Sequence, residues 1–299
     1  MKITEGKMDI EFEVSGGLGN QMFRYATAYA IAKRTKCDLV IDTSLYRLGG
    51  KDEFSRIFLM DCFTISYHKI LFIPRNTLWG RIRYKLHKTS MKQIGDEGIY
   101  NWEKIEQRLQ KNGRYHFSGL WQKYTLFHEF RSDLLKQFRY KGEISLIFQK
   151  LSSKIKETKS VAIHIRRGDY VKLGCCLSAK YYEHAIEEIE KRIGMNTTFF
   201  VFTEDPQYAH TIFDHKPYEF IFLEEKNQLT DIEVFFLMSV CSSQIITNST
   251  FSWWSAYLNV NPDKVIIAPI VRNWIAECWE EGYFPDTWVK LETLLEENI

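Results

Sequence analysis

Residues 160–169 read SVAIHIRRGD, and the turn from a β-branched run to a charged loop is where the fold class can be read. Ser160–Ile165 has the composition of a short strand, and Tyr182, Ala185, Ile186, Ile189 and Ile193 then recur at helical spacing. The unit is strand, loop, helix. Outward from it the same alternation continues. Strands are predicted at 198–202, 220–223, 244–247 and 265–268, with helices at 231–240 and 251–259 between them. That succession describes one doubly wound α/β sheet.

The first half opens in the same way. A strand at 10–14 leads through the turn Gly16-Gly17-Leu18-Gly19 into an alanine-rich helix over 21–34, followed by a strand at 39–42. Residues 50–115 are aromatic and basic with weak periodicity, and then two amphipathic patterns follow. Phe127, Phe130, Leu134 and Phe138 share one helical face, as do Ile144, Ile147, Leu151 and Ile155. With 299 residues there is room for two cores. The expected division is 1–155 and 156–299, through the polar stretch 152–159.

Composition removes several function classes. A formal charge of +2 is too small for bulk attraction to nucleic acid or an anionic membrane, which requires a basic face. No apolar run approaches the roughly 18 residues of a membrane span, and residues 1–15 are charged where a signal peptide needs an apolar core. A soluble cytoplasmic protein is expected. The six cysteines have neither CxxC pairing nor zinc-ligand spacing, and are read as reduced thiols.

His164-Ile165-Arg166-Arg167-Gly168-Asp169 lies at the carboxyl end of a predicted strand, where open α/β sheets bind ligands. Strand alternation puts His164 and Arg166 on one face and Arg167 on the other, with Asp169 as a nearby counter-ion for Arg167. Two readings stand, a solvated arginine pair or an anion site. Asn248-Ser249-Thr250-Phe251-Ser252 follows another strand and opens a helix, so its hydroxyls serve either as caps or, with free N–H groups and the helix dipole, as a diphosphate site. Asp231 also starts a helix. It is a cap, or a carboxylate matched to the adjacent N1–H and N2–H₂ donors of guanine. Glu204-Asp205-Pro206 is a turn or a ribose contact. The Gly16–Gly19 loop with Asp42 partly meets the dinucleotide fingerprint, but Met22 stands where the third glycine belongs.

Taken together, GGLGNQMFRYA at 16–26, GLWQKYTLF at 119–127, HIRRGDY at 164–170, FVFTEDP at 200–206 and NSTFSWWSAYLN at 248–259 resemble glycosyltransferase family 11, the α-1,2-fucosyltransferases. The resemblance spans about 15–290. It implies a GT-B architecture, two Rossmann-like domains facing across a cleft, with the donor in the second domain, the acceptor largely against the first, and inversion at the anomeric carbon. It further implies that GDP-fucose is the donor and a terminal galactoside the acceptor. By that similarity Arg166 binds the β-phosphate as the catalytic group, and His164 and Asp231 hold the guanosine. Ser249, Thr250 and Ser252 take the phosphates and Asn20 the sugar, with Gly19 and Asp169 beside them on the donor side. Arg24 departs from the family's usual glutamine, and no glutamate in 170–177 matches the base proposed for α-1,6 relatives.

Charge builds on departing GDP in an inverting displacement. No Asp-x-Asp pair is present, so Arg166 and the helix start at 249–252 are the expected substitutes for a metal, and neither metal nor cofactor is expected. The rivals are a nicotinamide enzyme built on the glycine loop and Asp42, a non-catalytic glycan-binding protein suggested by the 15% aromatic content, and a transferase using another sugar nucleotide or linkage.

Overall fold

The computed structural model describes residues 8–46, 57–65, 69–75, 77–99, 101–110, 113–223, 229–271 and 282–296. The chain divides into two compact units, Met1–Gly142 with Glu280–Tyr283, and Glu143–Trp279 with Phe284–Ile299. Each holds a sheet whose neighbouring strands all run parallel.

The first unit runs β1 (Asp9–Glu13), α1 (Leu18–Thr35), β2 (Leu39–Asp42), β3 (Lys69–Leu71), α2 (Leu78–Thr89), β4 (Lys92–Ile94), α3 (Trp102–Glu106), β5 (Arg114–Phe117) and α4 (Arg131–Gln137), with strand order β3-β2-β1-β5-β4. Alternation along β1 turns Ile10 and Phe12 to one face, where Phe12 stacks on Phe117 at 5.2 Å and meets Trp121 edge-on. Nearly all of the alanine-rich α1 is buried, which its small side chains permit.

The opposite face is polar. Glu11, Glu13, Asp42 and His116 lie there under α2. The Tyr84 hydroxyl bonds Glu13 at 2.9 Å and Asp42 at 3.1 Å, Lys88 donates to Glu13 at 3.1 Å, and His87 meets Glu11 at 2.7 Å. Asp42 has no exposure, and it also contacts His116 at 3.3 Å and accepts from the Ser44 N–H at 2.9 Å. Burial pushes its carboxyl upward, but these hydrogen bonds prevail and hold it below its ordinary value. The acid on which a dinucleotide reading would rest is therefore committed to the interior.

The second unit runs α5 (Leu146–Glu157), β6 (Ser160–Ile165), α6 (Gly168–Lys172), α7 (Ala179–Ile193), β7 (Thr198–Thr203), α8 (Pro206–Phe213), β8 (Glu219–Leu223), α9 (Asp231–Val240), β9 (Ser243–Ile245), α10 (Thr250–Leu258), β10 (Ile266–Val271) and β11 (Val289–Thr293). Its strand order is β11-β10-β9-β6-β7-β8, and β6 is buried along its whole length. Val161, Ile163 and Ile165 pack with Tyr181, Ala185 and Ile189 of α7. Ala162 faces the other way, in a cluster with Phe200, Phe202, Leu237 and Ile155.

Because Ile155 belongs to that cluster, with Phe148 and Leu151 packed against it, α5 belongs to the second unit. The break falls at 142/143, a helix earlier than the polar stretch 152–159 suggested. The pattern Phe127 to Phe138 resolves into two 3-10 turns, Tyr124–Leu126 and His128–Phe130, before α4. Phe127, Leu134 and Phe138 are nonetheless buried. Glu204-Asp205-Pro206 opens α8, with Asp205 accepting from the Tyr208 N–H at 3.0 Å and proline in the first turn.

Gly119 has φ +124, and a Cβ there would lie 2.2 Å from an Asp96 carboxylate oxygen. That carboxylate accepts from the Leu120 and Trp121 N–H groups at 2.8 Å each. Gly119→Ala is expected to lower stability by more than about 1 kcal/mol, read as a lower denaturation midpoint at unchanged m-value.

Candidate functional site

At the end of β6 the two arginines part. The Arg166 guanidinium donates to Asp169 at 2.6 Å and forms an ion pair with Glu204, whose other oxygen accepts from the Arg167 N–H at 3.4 Å. The Arg167 side chain reaches Asp205 at 2.9 Å and Glu296 at 2.6 Å, lying 3.7 Å above the Tyr208 ring. Alternation thus separates them as the sequence required, but Asp169, expected to serve Arg167, belongs to Arg166. Register explains the role of Glu204, expected from sequence in a turn or at the ribose. Ile165 pairs with Thr203, so the residues just past both strands are neighbours.

His164 precedes this pair on the face of Ala162. It is 5% exposed, its ring centroid is 5.8 Å from that of Phe251, and its Nδ1 has no hydrogen-bond partner among the described residues. Burial first, and the Arg166 charge second, push its pKa down to about 3, so the imidazole is neutral. A neutral ring with an uncommitted nitrogen at a strand end can accept or donate one hydrogen bond to a ligand.

The loop after β9 is fastened to the arginine loop. The Tyr170 hydroxyl donates to the Asn248 carbonyl at 3.1 Å, and Asn248 Nδ2 donates to the Cys175 carbonyl at 2.9 Å. Arg166 also lies 5.5 Å from the Tyr170 ring centroid. Ser249 caps α10, its hydroxyl accepting from the Phe251 N–H at 3.3 Å, and Thr250 is half-buried beside it. Ser252, expected among the phosphate ligands, is turned inward. It is fully buried and its hydroxyl is directed at the Ser249 and Thr247 carbonyls at 3.2 and 3.5 Å. The helix geometry puts the residue three after the cap against the preceding turn.

Asp231 is the first residue of α9 and is exposed. It is not the cap, because Thr230 and Glu233 form a complete capping box there. Glu233 also accepts from the Ser145 N–H at 2.7 Å, holding the start of α5.

In the first unit the loop before α1 has Gly16 at φ +81, and a Cβ there would come within 2.9 Å of Asn20 Nδ2. Gly19 is buried in the first turn of α1. The Asn20 side-chain oxygen accepts from Gln122 at 2.9 Å, and Gln21 donates to the Gly16 and Ile57 carbonyls at 2.9 Å each. Arg24 donates to the Gly119 carbonyl at 2.6 Å and to Ser15. It therefore ties the GLWQ segment to the glycine loop, a structural account of the departure from glutamine.

Among the described residues one group could hold a metal, Glu13, Asp42 and His116, with ligand atoms within 4.8 Å of one another. Its oxygens already have Tyr84, Lys88 and Ser44 as partners, and the Lys88 ammonium supplies a positive charge. Five cysteines are free among the described residues, and Cys278 lies outside them.

The His164 burial has a measurable consequence. Below its ordinary pKa the imidazole of the unfolded chain takes up a proton that the folded one refuses down to about 3. The unfolded state then binds more protons, so this group's contribution falls as pH drops below about 6.5, by at most ~1.4 kcal/mol per unit. Denaturant titrations from neutral pH to pH 5 should show a flatter slope for His164→Asn than for the unsubstituted chain. Equal slopes would mean that His164 takes up its proton in the fold as readily as in the unfolded chain, so that burial does not exclude it.

The matches to known proteins cover the whole arrangement. The family model for glycosyl transferase family 11 matches residues 9–292. The O-antigen biosynthesis glycosyltransferase WbnK of Escherichia coli is 30% identical over 93% of this chain and 99% of its own. The alpha-1,2-colitosyltransferase of Escherichia coli is 31% identical over 93% of this chain and 97% of its own. Among solved structures, fucosyltransferase NodZ from Bradyrhizobium is 14% identical, covering 84% of this chain and 92% of that one, with a TM-score of 0.48. With a family model that matches residues 9–292 and a relative 31% identical over 93% of this chain, the chain belongs to glycosyl transferase family 11.

Proposed function

We propose that this glycosyltransferase moves L-fucose from GDP-fucose to the 2-hydroxyl of a terminal galactoside, inverting the anomeric carbon. The observation that carries the reading is the Arg166 guanidinium at the end of the central strand, beside a loop that Tyr170 and Asn248 tie to it. A guanidinium fork suits two oxygens of a departing diphosphate, and the N–H groups opening α10 add neutral donors and a favourable dipole. Ser249 and Thr250 are the phosphate contacts of that loop, and Ser252 holds its shape. His164 offers its uncommitted nitrogen to the guanosine. Asp231, released from capping by Thr230 and Glu233, is the carboxylate for guanine. Asn20 and Gly19, in the first turn of α1 just after the glycine loop, are assigned to the sugar end. Charge that builds on GDP is absorbed by fixed groups of the chain, with no metal or cofactor required.

A colitosyl donor is the second reading, favoured by the 31% identity to an alpha-1,2-colitosyltransferase. Purified protein incubated with GDP-fucose or with nucleotide-linked colitose and a panel of β-galactosides, with products read by mass and linkage, separates the two. Transfer only of colitose would replace fucose in the proposal. Hydrolysis or transfer of neither sugar would leave a binding protein.

Substitutions at two positions test the assigned roles. Arg166→Ala should keep its melting temperature and lose roughly 10²-fold or more in kcat, and Arg166→Lys should recover little, since lysine keeps the charge without the fork. A near-normal kcat in Arg166→Ala would end the assignment. Asp231→Ala should raise the donor KM by about 5- to 150-fold, matching 1–3 kcal/mol for the lost acceptor of buried guanine donors. Excess EDTA should leave the unsubstituted enzyme at its starting rate; activity lost to EDTA and restored by Mn²⁺ would require a metal.

A further inference from the structure

Helix α2 is built the wrong way round for a surface helix. A helix packed on a sheet normally turns its apolar stripe inward and its charges to water. Here Tyr84, His87 and Lys88 point at the sheet, held by Glu13, Glu11 and Asp42, so the inward face is polar. The apolar residues face out. Leu78 is 71% exposed, Trp79 78%, Leu86 65% and Ile82 38%. At 100° per residue these four fall within about a quarter to a third of the helix circumference, opposite Tyr84. They form one stripe, not four scattered contacts.

Arg83 and Lys85 flank the stripe on either side, with Arg81 beyond Lys85, and all three are exposed. The wider segment has one sign of charge. Residues 62–95 contain seven Lys or Arg and no Asp or Glu. A net charge of +2 for the whole chain conceals this, because the compensating acids lie elsewhere.

We propose that α2 is a membrane-docking helix, seated in the interface of an anionic lipid bilayer with Leu78, Trp79, Ile82 and Leu86 among the acyl chains and its arginines and lysines at the headgroups. Its chemistry is that of an interfacial helix, with tryptophan and leucine on one face, basic residues at the margins and no acid to be repelled. No helix among the described residues is long and apolar enough to cross a membrane; the proposed attachment rests on the stripe of α2 and lies along the surface. The single-signed charge selects anionic lipid over a second copy of this chain, whose α2 would bring like charges together. The polar layer beneath makes the device rigid, since Tyr84 and Lys88 hold the helix while its outer face is left to the bilayer. This inference is independent of the donor and acceptor assigned above.

The test is flotation of the full chain with vesicles of phosphatidylcholine alone or mixed with phosphatidylglycerol, without donor or acceptor. The wild type should float with the mixed vesicles, at least tenfold less with pure phosphatidylcholine, and less at high salt. The double variant Trp79→Ser/Leu86→Ser should lose about tenfold or more in partitioning while keeping its melting temperature, because both side chains are exposed. Arg81→Glu/Arg83→Glu should lose as much by charge alone. No flotation of the wild type, or equal flotation of wild type and the Trp79/Leu86 variant, would overturn the proposal. So would a concentration-dependent dimer in sedimentation that this variant abolishes, which would give the stripe to a second copy.

Discussion

A charge withdrawn from water must be matched where it lies, and Asp42 is the point at which this constraint organises the first unit. Its carboxylate is wholly buried at the end of β2, and an ionised carboxylate in that position without partners would cost several kcal/mol. Tyr84, His116 and the Ser44 N–H supply those partners. Tyr84 can do so only if α2 lies across the face of the sheet with its polar side inward. Once Tyr84, His87 and Lys88 are committed there, the helix has no inward positions left for Leu78, Trp79, Ile82 and Leu86. The exposed apolar stripe is thus a geometric consequence of matching a buried acid, and the packed apolar layer of the same sheet lies on the opposite face, around Phe12, Phe117 and Trp121.

The second unit shows how much of this was legible in one sequence. β6 and α9 fall where the apolar pattern put them, because a strand buried on both faces and a helix opened by a capping box leave signals within a few residues. The separation of Arg166 from Arg167 was legible for the same reason, since period two is a local rule. What the sequence hid was pairwise and distant. Glu204 meets Arg166 across 38 positions and Glu296 meets Arg167 across 129, distances at which no local periodicity carries information. Ser252 was ambiguous because a hydroxyl near a helix start suits a ligand and an interior carbonyl equally well, and in the fold it is buried and turned to the Ser249 and Thr247 carbonyls.

In the first unit the hidden part was larger. Residues 69–94 contain two three-residue strands and a helix whose apolar side chains face outward, so the pattern that identifies an ordinary amphipathic helix has its usual meaning reversed. The net charge carries little local information for a related reason. A sum over the chain discards position, and the basic run from 62 to 95 is visible only when charge is read along the sequence.

Under the proposed transfer, the carboxylates on Arg166 have opposite effects on catalysis, and magnitudes indicate which prevails. Asp169 and Glu204 neutralise the guanidinium and so compete with any diphosphate for it. They also hold the fork still, which lowers the entropy lost when a ligand is bound. Partly exposed pairs of this kind contribute only about 0–1 kcal/mol each. A diphosphate carries more charge than either acid and brings several oxygens within reach of the fork and the start of α10. Exchange of Glu204 for a phosphate oxygen is then favourable, while Asp169, three residues along in α6, can keep its bond and the orientation of the arginine. The competing acid is weak enough to leave, and the positioning acid is local enough to stay.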